Sequence, residues 1–197
     1  MKTNHKPAFG FTLLELLITL ALAAIVLTTG IPSLLDTMTE NRVKTVMMDL
    51  NQDIIAARSF AISYETNVTL CPLSDKNECT DNWKNGYTLF TDHNQNAKFD
   101  STDEKKLVVR NKIDNADTFI FSDGKFIQYR FDGTTINSFA NNDEAIFSYC
   151  PEVDEPQRYS KALLISISGR PRMSQDLDND GRDEIYSANE HITCGNN

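Results

Sequence analysis

Gly10 closes a short basic stretch and is followed at once by Phe11, the first residue of an almost wholly apolar run, FTLLELLITLALAAIVLTTGI, that ends at Ile31. Within that run Glu15 is the only ionisable side chain. An unpaired carboxylate in hydrocarbon costs roughly 2–3 kcal/mol even on lenient insertion scales, so a run that keeps Glu15 has a use for it. Near the other end, Gly169-Arg170-Pro171-Arg172 sets two permanent guanidinium charges on a glycine-led segment, an arrangement that can straddle phosphates. The plainer reading pairs both arginines with Asp176, Asp178 and Asp180 just beyond. Those aspartates belong to Asp176-Leu177-Asp178-Asn179-Asp180-Gly181, the opening half of a calcium loop, with oxygen donors at alternate positions and a turn glycine. Ser187 stands where the terminal bidentate glutamate falls, so any calcium held there would be weak, and an Asx-rich turn without an ion is the rival. Asp92-His93-Asn94-Gln95-Asn96-Ala97, with Asp100 and Asp103 following, repeats the spacing but has Ala97 in the glycine position. Cys71, Cys79, Cys150 and Cys194 form an even set.

No nucleophile elbow, HExxH, phosphate loop or His–Cys arrangement is present, so the residues predict a protein that is not an enzyme and carries no cofactor beyond weak calcium. The cysteines lie beyond the apolar run, as suits disulfides in an oxidising compartment. Zinc is the rival, but no CxxC pair occurs and His5, His93 and His191 are not spaced as ligands. Four cysteines allow three connectivities. Proximity favours Cys71 with Cys79, which leaves Cys150 with Cys194. Lys and Arg number 19 against 28 Asp and Glu, a formal charge of −9. A chain so acidic repels polyanions on average, so nucleic acid would need a local basic patch.

The elements that position these groups follow from periodicity. The run from Phe11 is long enough to cross a bilayer as a helix, and Lys2, His5 and Lys6 ahead of it put its start in the cytoplasm. An ordinary signal peptide would be cut at a small-x-small site after the apolar region, whereas the glycine here precedes it. Gly30 and Pro32 should loosen or kink the helix. From Thr39 to Ser63, Val43, Val46, Met47, Leu50, Ile54, Ala57 and Ala61 recur mostly at steps of three or four, the pattern of an amphipathic helix. Glu40, Arg42, Lys44, Asp49, Asp53 and Arg58 then read as its solvated face. Short β-rich runs follow at Asn67–Cys71, Gly86–Thr91, Lys106–Arg110, Thr118–Ser122, Phe126–Phe131, Ala145–Cys150, Ala162–Ser168 and Glu184–Ser187, with turns at Asp123-Gly124 and Asp132-Gly133. The expected fold is α+β: a long N-terminal helix, half transmembrane and half amphipathic, packed on a mostly antiparallel sheet. The expected divisions are a leader at 1–10, a membrane helix at 11–35 and a head at 36–197 that includes the amphipathic half.

Gly10-Phe11-Thr12-Leu13-Leu14-Glu15 resembles the processing signal of type IV pilins and type II secretion pseudopilins. That resemblance implies cleavage after Gly10 by a prepilin peptidase, methylation of Phe11, and pairing of Glu15 with a neighbouring subunit's terminal ammonium during assembly. The physics agrees, because a buried carboxylate becomes tolerable once paired, and an unpaired one penalises the wrong register. A narrower resemblance, to the GspH/FimT family of pseudopilins and minor pilins, rests on Ala57-Arg58-Ser59-Phe60-Ala61-Ile62, Val68-Thr69-Leu70-Cys71-Pro72, Trp83 with Gly86-Tyr87, Leu89-Phe90 and Asp92, Phe131-Asp132-Gly133, and Gly169-Arg170-Pro171-Arg172 before a last cysteine. Trp83 reads as a core or cap residue. Membership implies a pilin-like fold, a bacterial inner-membrane anchor with a periplasmic head, and partnership with other pilins or pseudopilins. In FimT-like members the GRxR motif, here Gly169, Arg170 and Arg172, is implicated in DNA binding during uptake. The alternative is a GspH-type pseudopilin with a purely structural role at the tip of a secretion filament.

Overall fold

A computed structural model describes residues 11–113, 116–136, 139 and 144–193. The chain divides into two compact units, Met1–Thr39 and Glu40–Asn197. One helix, α1 (Leu13–Ser63), contributes to both, and neither Gly30 nor Pro32 interrupts it. In the first unit its apolar side chains stand exposed, Leu13 through Leu27 and again at Leu34 and Leu35, and the segment is long and apolar enough to cross a membrane. Such a surface is unfavourable in water and favourable in lipid.

In the second unit α1 buries a stripe of Val43, Met47, Leu50, Ile54, Ala57 and Ala61, each at most 1% exposed. The steps of four and three keep these residues on one face. Each large member contributes on the order of 1.5–3 kcal/mol by leaving water. The stripe shares a core with two antiparallel sheets. One has the order β3 (Lys106–Val109), β2 (Thr88–Thr91), β1 (Val68–Cys71), β5 (Ile127–Tyr129). The other has the order β4 (Thr118–Phe121), β6 (Glu144–Cys150), β7 (Lys161–Ser166), β8 (Pro171–Met173). Trp83 is a core residue, 1% exposed, with Phe121 and Phe147 edge-on at 5.3 and 4.8 Å between ring centroids.

The expected eighth strand at Glu184–Ser187 is displaced: those residues make only isolated bridges, Glu184 with Gln175 and with His191, and the strand is Pro171–Met173. Proline is tolerated there because β8 is an edge that needs no N–H on its open side. The polar face of α1 is likewise not simply solvated. Asp53 is 4% exposed and accepts Arg110 Nε at 2.7 Å, Arg110 Nη2 at 3.0 Å and the Tyr87 hydroxyl at 2.9 Å. Asp49 takes Arg110 Nη1 at 3.3 Å, Arg42 reaches the fully buried Asp117 at 3.2 Å, and Arg58 Nε donates to the Gly133 carbonyl at 3.0 Å. These charges clamp the helix to the sheets, because a carboxylate shielded from water needs a partner.

Candidate functional site

At the N-terminus, Thr12 caps α1. Its Oγ1 accepts the Glu15 N–H at 3.2 Å and its carbonyl accepts the Leu16 N–H at 3.1 Å. Threonine followed three residues later by glutamate is the capping-box pattern, a signal present in the sequence that the motif reading passed over. Glu15 therefore sits in the first turn, where the helix dipole favours a negative charge. The backbone uses Thr12 and leaves the Glu15 carboxylate without a partner among the described residues. Phe11 is exposed; Gly10 lies outside the described residues.

The second site is the strand-turn-strand around Gly169. Gly169 has φ +76°, and a Cβ there would fall 2.3 Å from the Gly133 carbonyl oxygen and 2.7 Å from Tyr129 Cε1. Only glycine accepts both the left-handed backbone and that approach. The turn is fastened by Gly169 N–H to the Ser166 carbonyl at 2.8 Å, by the Tyr129 hydroxyl to the Gly169 carbonyl at 3.3 Å, and by Thr135 N–H to the Ile167 carbonyl at 3.0 Å. Burial raises the Tyr129 phenol well above its usual range, so it stays a donor.

The two arginines have different fates. Arg172 lies on β8 rather than in a free loop, and its guanidinium meets Glu144 through two contacts, 2.8 and 3.2 Å. It also donates to the Ile185 carbonyl at 3.2 Å and stands 5.5 Å over the Tyr186 ring. Hydrogen bonding to Glu144 raises its pKa further, so it is a fixed cation in a fixed place. Arg170 is exposed, and its guanidinium has no partner among the described residues. Pairing of both arginines with Asp176, Asp178 and Asp180 is therefore overturned: the register of β8 points Arg172 at Glu144 instead.

The Cys71–Cys79 disulfide is formed. Cys150 is also disulfide-bonded, and Cys194, its expected partner, lies outside the described residues. Of the two acidic loops, the one at Asp92 is occupied by its own chain. Asp92 is fully buried and accepts Thr69 Oγ1, Gln128 Nε2 and the N–H groups of Asn96 and Ala97 at 2.7–3.1 Å. Glu104 caps the same turn through His93 N–H and Asp100 N–H, and burial raises its pKa. Asp176, Asp178 and Asp180 do come together, and with Glu184, a residue outside the expected set.

An exposed apolar helical segment with Glu15 in its Thr12-capped first turn, continuing into a helix that closes the core of a two-sheet head, defines a type IV pilin-like subunit. Residues 6–31 match the prokaryotic N-terminal methylation motif, and residues 47–169 match the family model for type II transport protein GspH. The chain belongs to the GspH family. Crystal structures of the type IV minor pilin FimU from Pseudomonas aeruginosa, in two crystal forms, share the fold. They are 19% identical to this chain, with TM-scores of 0.52 and 0.50, covering 68% and 67% of this chain and 90% and 92% of theirs. No curated protein matches the chain.

Proposed function

We propose that this chain is a minor subunit of a type IV pilus or type II secretion filament, released by prepilin peptidase after Gly10 and carried in the inner membrane with its head in the periplasm. One observation carries the reading: a lone carboxylate, Glu15, in the first turn of a helix whose following side chains through Leu27 suit lipid, with nothing among the described residues to neutralise it. A neighbouring subunit's terminal ammonium would neutralise Glu15 and fix the axial register. The test is Glu15→Gln, which should enter the membrane at least as well as wild type while disappearing from sheared filaments. Normal incorporation of the variant would remove the ion-pair account.

The exposure of Arg170 favours a second role, contact with DNA phosphate during uptake, of the kind the FimT-like GRxR motif implies. Arg170 would lead the contact and Arg172 would chiefly hold the strand. Phosphate contacts carry no base information, so binding would be weak, sequence-independent and salt-sensitive. Retention of duplex DNA at low and moderate salt, wild type against Arg170→Gln, tests it; equal retention returns the protein to filament assembly alone.

A further inference from the structure

The Asp176–Gly181 loop folds so that ligand oxygens of Asp176, Asp178, Asp180 and Glu184 all lie within 4.8 Å of one another. Its ends are fastened where Glu184 N–H meets the Gln175 carbonyl at 2.9 Å. Gly181, at φ +87°, makes the sharp turn, and Asp176 accepts the N–H groups of Asn179 and Gly181 at 2.7 and 2.9 Å. An acidic turn could do as much without an ion. Glu184 sets this one apart. Its side chain is fully buried and aimed into the cluster, and Oε1 accepts no hydrogen bond. The other oxygen takes the Leu177 N–H at 2.6 Å, so the carboxylate is held in place while Oε1 accepts no hydrogen bond. His191 Nδ1 is 2.8 Å from Oε1 but outside hydrogen-bond geometry with it. Among the described residues, no Lys or Arg pairs with any of the four carboxylates. The neighbouring Asp183 shows the contrast, since it is neutralised by Lys161 at 2.6 Å. Among the described residues, the one cation-capable side chain paired with the four carboxylates is His191, 2.8 Å from Glu184 and 3.6 Å from Asp180, which offsets the like charges only when protonated. A buried carboxylate oxygen without a hydrogen bond among them is therefore costly.

We propose that Asp176, Asp178, Asp180 and Glu184 form a calcium site. Counting Asp176 as the first position, Glu184 is the ninth and supplies the carboxylate missing at the twelfth, Ser187. An all-oxygen set of four carboxylates suits calcium, whereas magnesium demands a tighter octahedron and keeps its waters. The loop joins β8 to the segment that carries Ile192, which packs with Cys150, Ala162 and Leu164, so bound ion and C-terminal packing should stabilise each other.

The experiment is thermal unfolding of the full-length protein in detergent, stripped with chelator and titrated with calcium, magnesium or zinc. Calcium should raise Tm by about 3–6 °C at ten times Kd, with Kd about 0.1–1 mM. Equal magnesium should give less than about half the shift. Glu184→Gln and Asp178→Asn should each abolish the calcium response. Asp178 is exposed, so that variant keeps the test valid if Glu184→Gln fails to fold. No shift at about 10 mM calcium, or a shift that survives either substitution in folded protein, overturns the site. So does a response to zinc alone that is lost in His191→Gln, which would assign the cluster to Asp180, Glu184 and His191.

Discussion

Replacing Arg170 and Arg172 separately by Gln distinguishes a tie from a ligand contact. Arg172→Gln removes a two-contact ion pair with Glu144, whose side chain is 18% exposed against 45% for the arginine. It also removes the bond to the Ile185 carbonyl and the charge over Tyr186. An ion pair this wet is worth about 0.5 kcal/mol, the carbonyl bond about 1 and the ring contact about 0.5, which gives roughly 1–2 kcal/mol in all. For a domain of this size that is about 2–8 °C in Tm. Arg170→Gln breaks nothing within the described residues and should stay within about 0.5 kcal/mol of wild type. On duplex DNA each engaged phosphate contributes about 0.9 to the slope of log affinity against log salt. If Arg170 alone engages, its loss removes about 0.9, Arg172→Gln changes the slope little, and the double variant stays near 0.9 rather than 1.8. Thermal melts and filter retention over a salt series read both quantities. Equal stability of the two single variants, or a slope lost with Arg172 and kept with Arg170, would refute the division of roles.

Gly169→Ala should cost about 2–4 kcal/mol in urea unfolding, from left-handed strain and a methyl driven against the Gly133 carbonyl and Tyr129; a cost under about 1 would mean the turn can shift. Asp53→Asn should cost about 2–3 kcal/mol, less than a fully buried pair because Arg110 is 36% exposed, and the same urea curves read it. Burial raises the phenols of Tyr87 and Tyr129 above the usual range, and Asp53 raises Tyr87 further. A raised folded pKa means that their contribution is complete below the unfolded value of about 10 and is lost as pH rises beyond it. Ultraviolet titration should therefore show both ionising only with alkaline unfolding. Early ionisation of all six tyrosines would contradict the burial of Tyr87 and Tyr129.

What local pattern could reveal, it revealed: the stripe from Val43 to Ala61, seven strands to within a few residues, and the glutamate in the apolar run all follow from period and composition. The differences have separate physical causes. Asp53 and Arg42 read as solvent-facing because their partners, Arg110 and Asp117, lie 57 and 75 residues away in sequence. Strand β8 was hidden by its proline, a mark against central strands that means little at an edge. The Glu184 carboxylate was overlooked because the calcium pattern was sought at the twelfth position. The Thr12 cap was legible in Thr-x-x-Glu and needed no structure.

The Gly169 turn presents Arg170 on a backbone fixed from several sides, with the Tyr129 hydroxyl on its carbonyl flank, Thr135 on Ile167 and the Gly133 oxygen where a side chain would otherwise stand. Such a backbone loses little entropy on binding, so the charge at its rim is well used. One guanidinium on a chain of formal charge −9 nevertheless contributes only one phosphate contact against a general repulsion. Useful DNA affinity, if Arg170 supplies the contact, must therefore come from linkage: several subunits in one filament, each adding an effective concentration rather than a strong site. On the proposed ion pair Glu15 would govern that linkage, because a head that never enters a filament binds alone. The Glu15→Gln and Arg170→Gln variants should accordingly impair DNA retention by intact filaments in the same direction, while only Arg170→Gln weakens binding by the isolated protein.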